Sequence, residues 1–354
     1  MREESEGFAT GRSRPGGAAT GVVAPVTRRR RPGAVVSTVL AALLSALLLG
    51  ACAPAPRLDQ VPDPSRSEVI DWNYGLSWHP DRRDVTYVPD GSIGCGSDAV
   101  DHVRCGGSQT LDVYPRDPTG AAARGTILYV HGGGFVSGDK SDMQGVGPMF
   151  AQRHRGWDVV SVNYRLSGSG RAQWPSAAQD VAAAVRWLRA EGPGLGLDTS
   201  RIVTFGWSAG GTLAALAGVA WNSDEPAYTS FPRVDGWVDL AGITDFDTDD
   251  RRWLGQWGAT WAPAIWGAAT RMSPTTFLDP DDPPGYVIHG DSDQIVSFAN
   301  ADRIKRVALE RGASVTLDVV DRFDDGTPMT PAVRGHWAGG GVNTTSLNAF
   351  LDRI

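Results

Sequence analysis

The stretch RIVTFGWSAGGTLAALAG, residues 201–218, sets one serine, Ser208, between Gly206 and Gly210. Four β-formers, Ile202 to Phe205, lead into it, and an alanine-rich run leaves it. The pattern predicts a buried strand, a sharp turn and a helix from Ala209 to Trp221. G-x-S-x-G at such a joint is a nucleophile elbow, a strained turn that projects the serine hydroxyl outward at the carboxyl end of a sheet. Glycine is required at 206 and 210 because the turn brings neighbouring backbone where a Cβ would lie, and Gly211 eases packing further. The amides at the start of the following helix favour negative charge beside the serine.

A serine hydroxyl is a weak nucleophile. It needs a base, and a tetrahedral oxyanion needs hydrogen-bond donors. The run HGGGF, residues 131–135, follows a strand and precedes Ser208 by about 75 residues. It resembles the oxyanion loop of α/β-hydrolase esterases. That likeness assigns the donors to the amides of Gly133 and Gly134, joined by that of Ala209. His131 is read as a brace for the loop. The order in such enzymes is nucleophile, acid, histidine. Only His289 and His336 follow Ser208. His289 ends a strand before the acid candidates and is read as structural. His336, in RGHWAGGG between the last strand and the last helix, is the expected base. Asp291 and Asp293 both follow the strand ending at His289, and Asp321 is a further candidate acid.

Away from the elbow, strands and helices alternate. DVTYVP (84–89) and QTLDVYPR (109–116) read as an early hairpin. GTILYV (125–130) and GWDVVSVNYR (156–165) are apolar strands. PSAAQDVAAAVRWLRAEG (175–192) is a helix opened by proline and closed by glycine, with Val181, Ala184, Val185 and Leu188 on one face. VDGWVDLAG, PPGYVIHGD and SVTLDVVD are further strands, and ANADRIKRVALERG and TTSLNAFLDR are helices. Continuous apolar strands separated by helices specify a mostly parallel sheet covered on both faces. One catalytic domain over 81–354 is the economical division.

One segment breaks the rhythm. About forty residues between Thr244 and Tyr286 include Trp253, Trp257, Trp261 and Trp266. They are either a helix burying its indoles against the sheet edge or a lid-like insertion lining a pocket.

LDVYP, HGGGFVSGDK, VNYRLS, WPSAAQDVAAAVRWLR, GLDTSRIVTFGWSAGG, MSP and PPGYVIHGDSDQIV follow one another from residue 111 to 296. Their order and spacing resemble an esterase family of the α/β-hydrolase superfamily. The branch is the bacterial one with feruloyl-esterase-like and kynurenine-formamidase-like members, close to the hormone-sensitive-lipase-like carboxylesterases. The resemblance implies the α/β-hydrolase fold and a serine mechanism with no cofactor and no metal. It favours Asp293 over Asp291, because relatives read G-x-x-D and Gly290 to Asp293 fits. It implies a structural Asp180 bracing the loop after Tyr164. Trp207 departs from the polar residue expected before the serine and is read as lining the acyl pocket.

The N-terminus is not part of the fold. RRRR (28–31), a 17-residue apolar stretch from Ala34 to Gly50 and then LLGACAPAP make a secretory signal over 1–51. Cys52 after Leu49-Gly50-Ala51 resembles a lipobox. The likeness implies lipidation of Cys52 and anchoring at a bacterial membrane surface, with an uncleaved transmembrane anchor as the alternative. Residues 52–80 are then a proline-rich tether. In an oxidising compartment Cys95 and Cys105 are expected to form a disulfide; with His102 alone nearby they are too few for a metal.

Net charge is −7, and without the first 51 residues 26 basic side chains face 37 acidic ones. That balance argues against a nucleic-acid binder, which needs a basic face. No protein partner is expected. The leading function is hydrolysis of small or medium carboxylic esters, free or on a glycan, through an acyl-enzyme on Ser208. An amidase or peptidase of the same fold, and a non-catalytic binding protein on a hydrolase scaffold, are the alternatives.

Overall fold

The apolar run before the HGGGF loop becomes β3, Thr126–Val130, in which every residue is buried. A strand is buried throughout only when both faces of its sheet are covered. The computed structural model describes residues 80–88, 109–114, 123–143, 156–167, 174–246, 269–321, 335–336 and 344–354. All of them lie in the second of two units, which divide between Ala53 and Pro54. The expected signal, the tether up to residue 79, Cys52, Cys95, Cys105 and the four tryptophans from Trp253 to Trp266 lie outside the described residues.

Among the described residues the strands are β1 (Arg82–Thr86), β2 (Thr110–Tyr114), β3, β4 (Asp158–Val162), β5 (Ile202–Trp207), β6 (Gly236–Leu240), β7 (Gly285–Gly290) and β8 (Val315–Val320). They form one sheet in the order β1-β2-β4-β3-β5-β6-β7-β8. β1 and β2 pair antiparallel, as the hairpin reading requires, and β2 runs antiparallel to β4. All later pairs are parallel. The result is the α/β-hydrolase sheet, with the chain entering at an antiparallel edge.

Alternate side chains of β3 feed two cores. Leu128 and Val130 face a cluster shared with α1 (Ser176–Glu191) and α2 (Ala209–Val219). Ile127 and Tyr129 face the opposite cluster, closed by Leu347, Phe350 and Leu351 of α6 (Thr344–Leu351). The residues expected on the buried face of α1, namely Val181, Ala184, Val185 and Leu188, are all buried there. Two short helices, α3 (Ala269–Met272) and α4 (Pro274–Phe277), lead into β7. α5 (Ala299–Arg311) packs Ile304 and Val307 against Trp237 and Val287 and ends on Gly312 in the left-handed conformation.

α2 stops two residues before the sequence pattern suggests. Ala220 closes it, and the Trp221 ring turns out to meet the Arg233 guanidinium 5.5 Å from its centroid.

Candidate active site

β5 delivers Ser208 at the carboxyl end of the sheet. Ser208 caps α2 with φ 57° and ψ −123°, a conformation an L-residue adopts only under constraint. Its amide donates to Leu240 O of the neighbouring strand at 2.8 Å. A Cβ on Gly206 would lie 2.0 Å from Gly210 O, and one on Gly210 would lie 2.0 Å from Val130 O. The elbow therefore closes only with hydrogen at both positions. At Gly211 a Cβ would lie 2.1 Å from Asp239 Oδ1.

His336 reaches this serine from 128 residues away, its Nε2 lying 2.9 Å from Ser208 Oγ. Its Nδ1 lies 2.8 Å from Asp293 Oδ2. With a carboxylate on one side, Nδ1 carries the proton, and Nε2 is left to accept from the serine hydroxyl. The other oxygen, Asp293 Oδ1, accepts the amides of Ile295 at 2.8 Å and Val296 at 2.9 Å. Burial alone would push the Asp293 carboxyl up. The contacts from His289 and His336 outweigh it and hold the group well below the usual carboxylate range. Of the acids left open by the residues alone, Asp293 is the one joined to His336, while Asp291 is exposed.

His289 is wholly buried. Its Nε2 donates to Val296 O at 2.8 Å and lies 3.4 Å from Asp293 Oδ2. This imidazole therefore ties off the same turn that carries Asp293. Beneath it, Asp239 accepts the Gly242 amide at 2.7 Å, and burial pushes its carboxyl up to about 7, against the lowering effect of His289. Asp239 Oδ2 and His289 Nδ1 are both buried without a hydrogen-bond partner among the described residues.

The 131–138 loop begins where β3 ends. Gly133 and Gly134 have φ of 98° and 59°, and Phe135 follows at 68°. Gly133 O accepts the amides of Val136 and Ser137, both at 3.1 Å. Among the described residues the amides of Gly133, Gly134 and Ala209 have no acceptor. His131 braces the turn: its Nδ1 lies 2.8 Å from Gly132 O, and its ring stacks on Tyr164 at 4.3 Å. Burial pushes this imidazole down to about 4, so it is neutral at neutral pH. The Tyr164 hydroxyl donates to the carbonyls of His131 and Gly132. At the far end of the loop, the Lys140 ammonium pairs with Asp84 at 2.8 Å and with buried Asp112 at 2.9 Å. Asp180 receives the Arg165 amide at 2.8 Å and the guanidinium, fixing the turn after Tyr164.

Several of these supports carry no sequence signal of their own. The Leu240 carbonyl, the Tyr164 hydroxyl and the His289 contact become visible only once the sheet is assembled. Among the described residues no group of three or more His, Cys, Asp or Glu side chains is arranged to hold a metal ion.

The BD-FAE family model matches residues 111–307, more than half of the chain, and the match takes in the loop, the elbow and Asp293. The chain belongs to the BD-FAE family. Several relatives of this BD-FAE chain are named esterases. Esterase LipC of Mycobacterium tuberculosis is 30% identical over 242 residues, which is 60% of this chain and 58% of that protein. Two solved structures share the fold. A carbohydrate esterase from gut microbiota, in truncated form, superposes with TM-score 0.58 at 24% identity, over 79% of this chain and 97% of the other. Esterase B from Lactobacillus rhamnosis gives TM-score 0.61 at 18% identity, over 91% and 95%. The BD-FAE chain thus matches little more than half of LipC but nearly the whole of both solved structures.

Proposed function

We propose that this protein is a serine carboxylesterase acting on small or medium carboxylic esters, free or carried on a glycan. The observation that carries this reading is the hydrogen-bonded line from Ser208 Oγ through His336 to Asp293, set on a strained elbow.

In this reading Ser208 Oγ attacks the ester carbonyl as His336 Nε2 takes its proton. The carbonyl oxygen becomes an oxyanion facing the amides of Gly133, Gly134 and Ala209, which have no other acceptor among the described residues. Asp293 stays ionised and stabilises the imidazolium through Nδ1–H. The tetrahedral intermediate then expels the alcohol, which leaves with the proton from Nε2, and Ser208 carries the acyl group. Water repeats the sequence: His336 removes its proton, the new oxyanion collapses, and Ser208 Oγ is reprotonated as the acid departs. The relatives named esterases support ester over amide as the scissile bond.

Export and surface anchoring through a lipidated Cys52, and a Cys95–Cys105 disulfide, are part of the same proposal. They rest on the sequence signals at 28–52 and on the cysteine spacing. Mass spectrometry of the protein recovered from cells, with and without reductant, tests both.

The functional test uses the full chain on p-nitrophenyl esters from acetate to palmitate, with methyl ferulate and an acetylated oligosaccharide alongside. Turnover with covalent capture of Ser208 by an organophosphonate is the expected result. An intact, folded chain that neither turns over nor is labelled overturns it.

A further inference from the structure

The geometry points to Trp207 as a positioning residue that fixes the backbone of His336 relative to Ser208 by donating its indole N–H to the His336 carbonyl. This inference rests on the esterase reading and deepens it. The sequence suggests pocket lining for Trp207, and its indole also reaches the machinery itself. Its Nε1 lies 3.1 Å from His336 O, and its ring centroid is 5.4 Å from the imidazole, tilted by 46°. Its other side meets the loop after β3, where a Cβ on Gly132 would come within 2.5 Å of Trp207 Cε3. The indole also packs on the core cluster that contains Tyr129, Phe205 and Leu240.

The physical need is clear from what the other bonds do not do. Asp293 and Ser208 grip the two nitrogens of the imidazole and so orient the ring. Neither holds the peptide that bears it. A ring held at its tip on a wandering backbone shifts its nitrogens by fractions of an ångström, and misplacement of about 1 Å can cost on the order of a hundredfold in rate. The Trp207 N–H bonds the main chain of His336 directly. Trp207 is also the residue joined to Ser208 by a peptide bond, and it is paired with Leu240 in the sheet. Nucleophile and base are thereby referenced to one rigid point, the end of β5. A carboxylate or amide at 207, of the kind expected before the serine, lacks both the reach of an indole and its flat contact with Gly132.

The decisive variant changes one atom. Benzothienylalanine at position 207, inserted site-specifically into the full chain, keeps the fused rings and puts sulfur where the N–H was. Trp207→Phe is its companion. With the melting temperature held, the expected result for the thienyl variant is a fall in kcat of about tenfold on p-nitrophenyl acetate and butyrate alike. KM and the acetate-to-butyrate ratio should stay as in the parent, and phosphonylation of Ser208 should slow in step. A second readout needs no turnover: the low-field proton of 15N-labelled His336 Nδ1, sharp in the parent, should broaden in the variant.

A thienyl variant with kcat within twofold of the parent and a sharp low-field proton overturns the inference, whatever becomes of Trp207→Phe. A change confined to KM or chain-length preference also overturns it and makes Trp207 a pocket wall. Should the parent itself turn over no ester, a proton that is sharp there and broad in the variant still sustains the positioning role, and only the esterase reading falls.

Discussion

His289 Nε2 lies 3.4 Å from Asp293 Oδ2, the oxygen that also takes the Nδ1–H of His336 at 2.8 Å. One carboxylate oxygen thus serves two imidazoles, while its twin is saturated by the Ile295 and Val296 amides. Every lone pair of Asp293 facing the protein is engaged, so the group has one orientation and one charge.

Removing that charge while keeping the shape is therefore the sharpest test of the acid. Asp293→Asn should lower kcat by on the order of a thousandfold or more, because an amide can present its N–H to His336 and select the wrong tautomer. Asp291→Asn, at an exposed position two residues earlier, should stay within about twofold of the parent. Equal losses from the two substitutions, measured on p-nitrophenyl acetate, would remove Asp293 from its assigned place.

Because the Asp293 carboxyl is held well below the usual range, it stays ionised throughout the working range of pH. A rise in kcat/KM with pH then reports an imidazole losing its proton, not a carboxylate doing so. Activity should rise from acid toward neutral pH as the general base is freed of its proton. A profile without that rise, with chemistry shown to be rate-limiting, would count against His336 as the base.

The strain at Ser208 gives a prediction about stability that opposes the one about rate. Both Ser208→Ala and Ser208→Gly should abolish turnover. Alanine inherits the φ of 57° with its steric cost, whereas glycine adopts it without that cost. Strain of this kind costs about 1–3 kcal/mol, partly offset by the extra freedom glycine has in the unfolded chain. The glycine variant should therefore unfold at higher denaturant than the alanine variant, by about 1 kcal/mol. An equal or lower midpoint would mean the turn is relaxed.

Asp239 supplies a pH signature. Its carboxyl is pushed up to about 7 in the folded chain and returns to the ordinary carboxylate range when unfolded. Between those values the folded chain holds a proton that the unfolded chain has lost, so this group's contribution to stability declines as pH rises toward 7. Asp239→Asn keeps an acceptor for the Gly242 amide and cannot ionise. Its melting temperature relative to the parent should improve from pH 5 to pH 8, with His289, the imidazole facing it, unchanged. A difference independent of pH would show that Asp239 is already charged in the folded chain. His131, pushed down to about 4, acts with the same logic at the acid side: stability it supplies is lost as pH falls from the ordinary histidine value toward 4.

Much of this was legible in the residues because the signals were local. The run from Ile202 to Gly211 states strand, turn and helix within ten positions, and the glycines at 206 and 210 answer to backbone oxygens that a Cβ would approach to 2.0 Å. The chain order of the fold singled out His336, and the family resemblance, through Gly290, favoured Asp293. What escaped depends on distance along the chain. The bond from the Trp207 indole carries no signal beside the elbow because its acceptor, a main-chain carbonyl, lies 129 residues downstream. Asp239 carries no signal of its own, and His289, read as structural, shows which turn it braces only once β6 and β7 lie side by side inside the sheet.

The separation of Ser208 from His336 by 128 residues has a consequence for the newborn chain. Synthesis proceeds from the N-terminus, so the elbow and its helix leave the ribosome well before the segment bearing the base. For that interval the serine lacks its proton acceptor. On the proposed mechanism no hydrolysis can occur until His336 lies beside Ser208, so the first turnover reports a late step of folding.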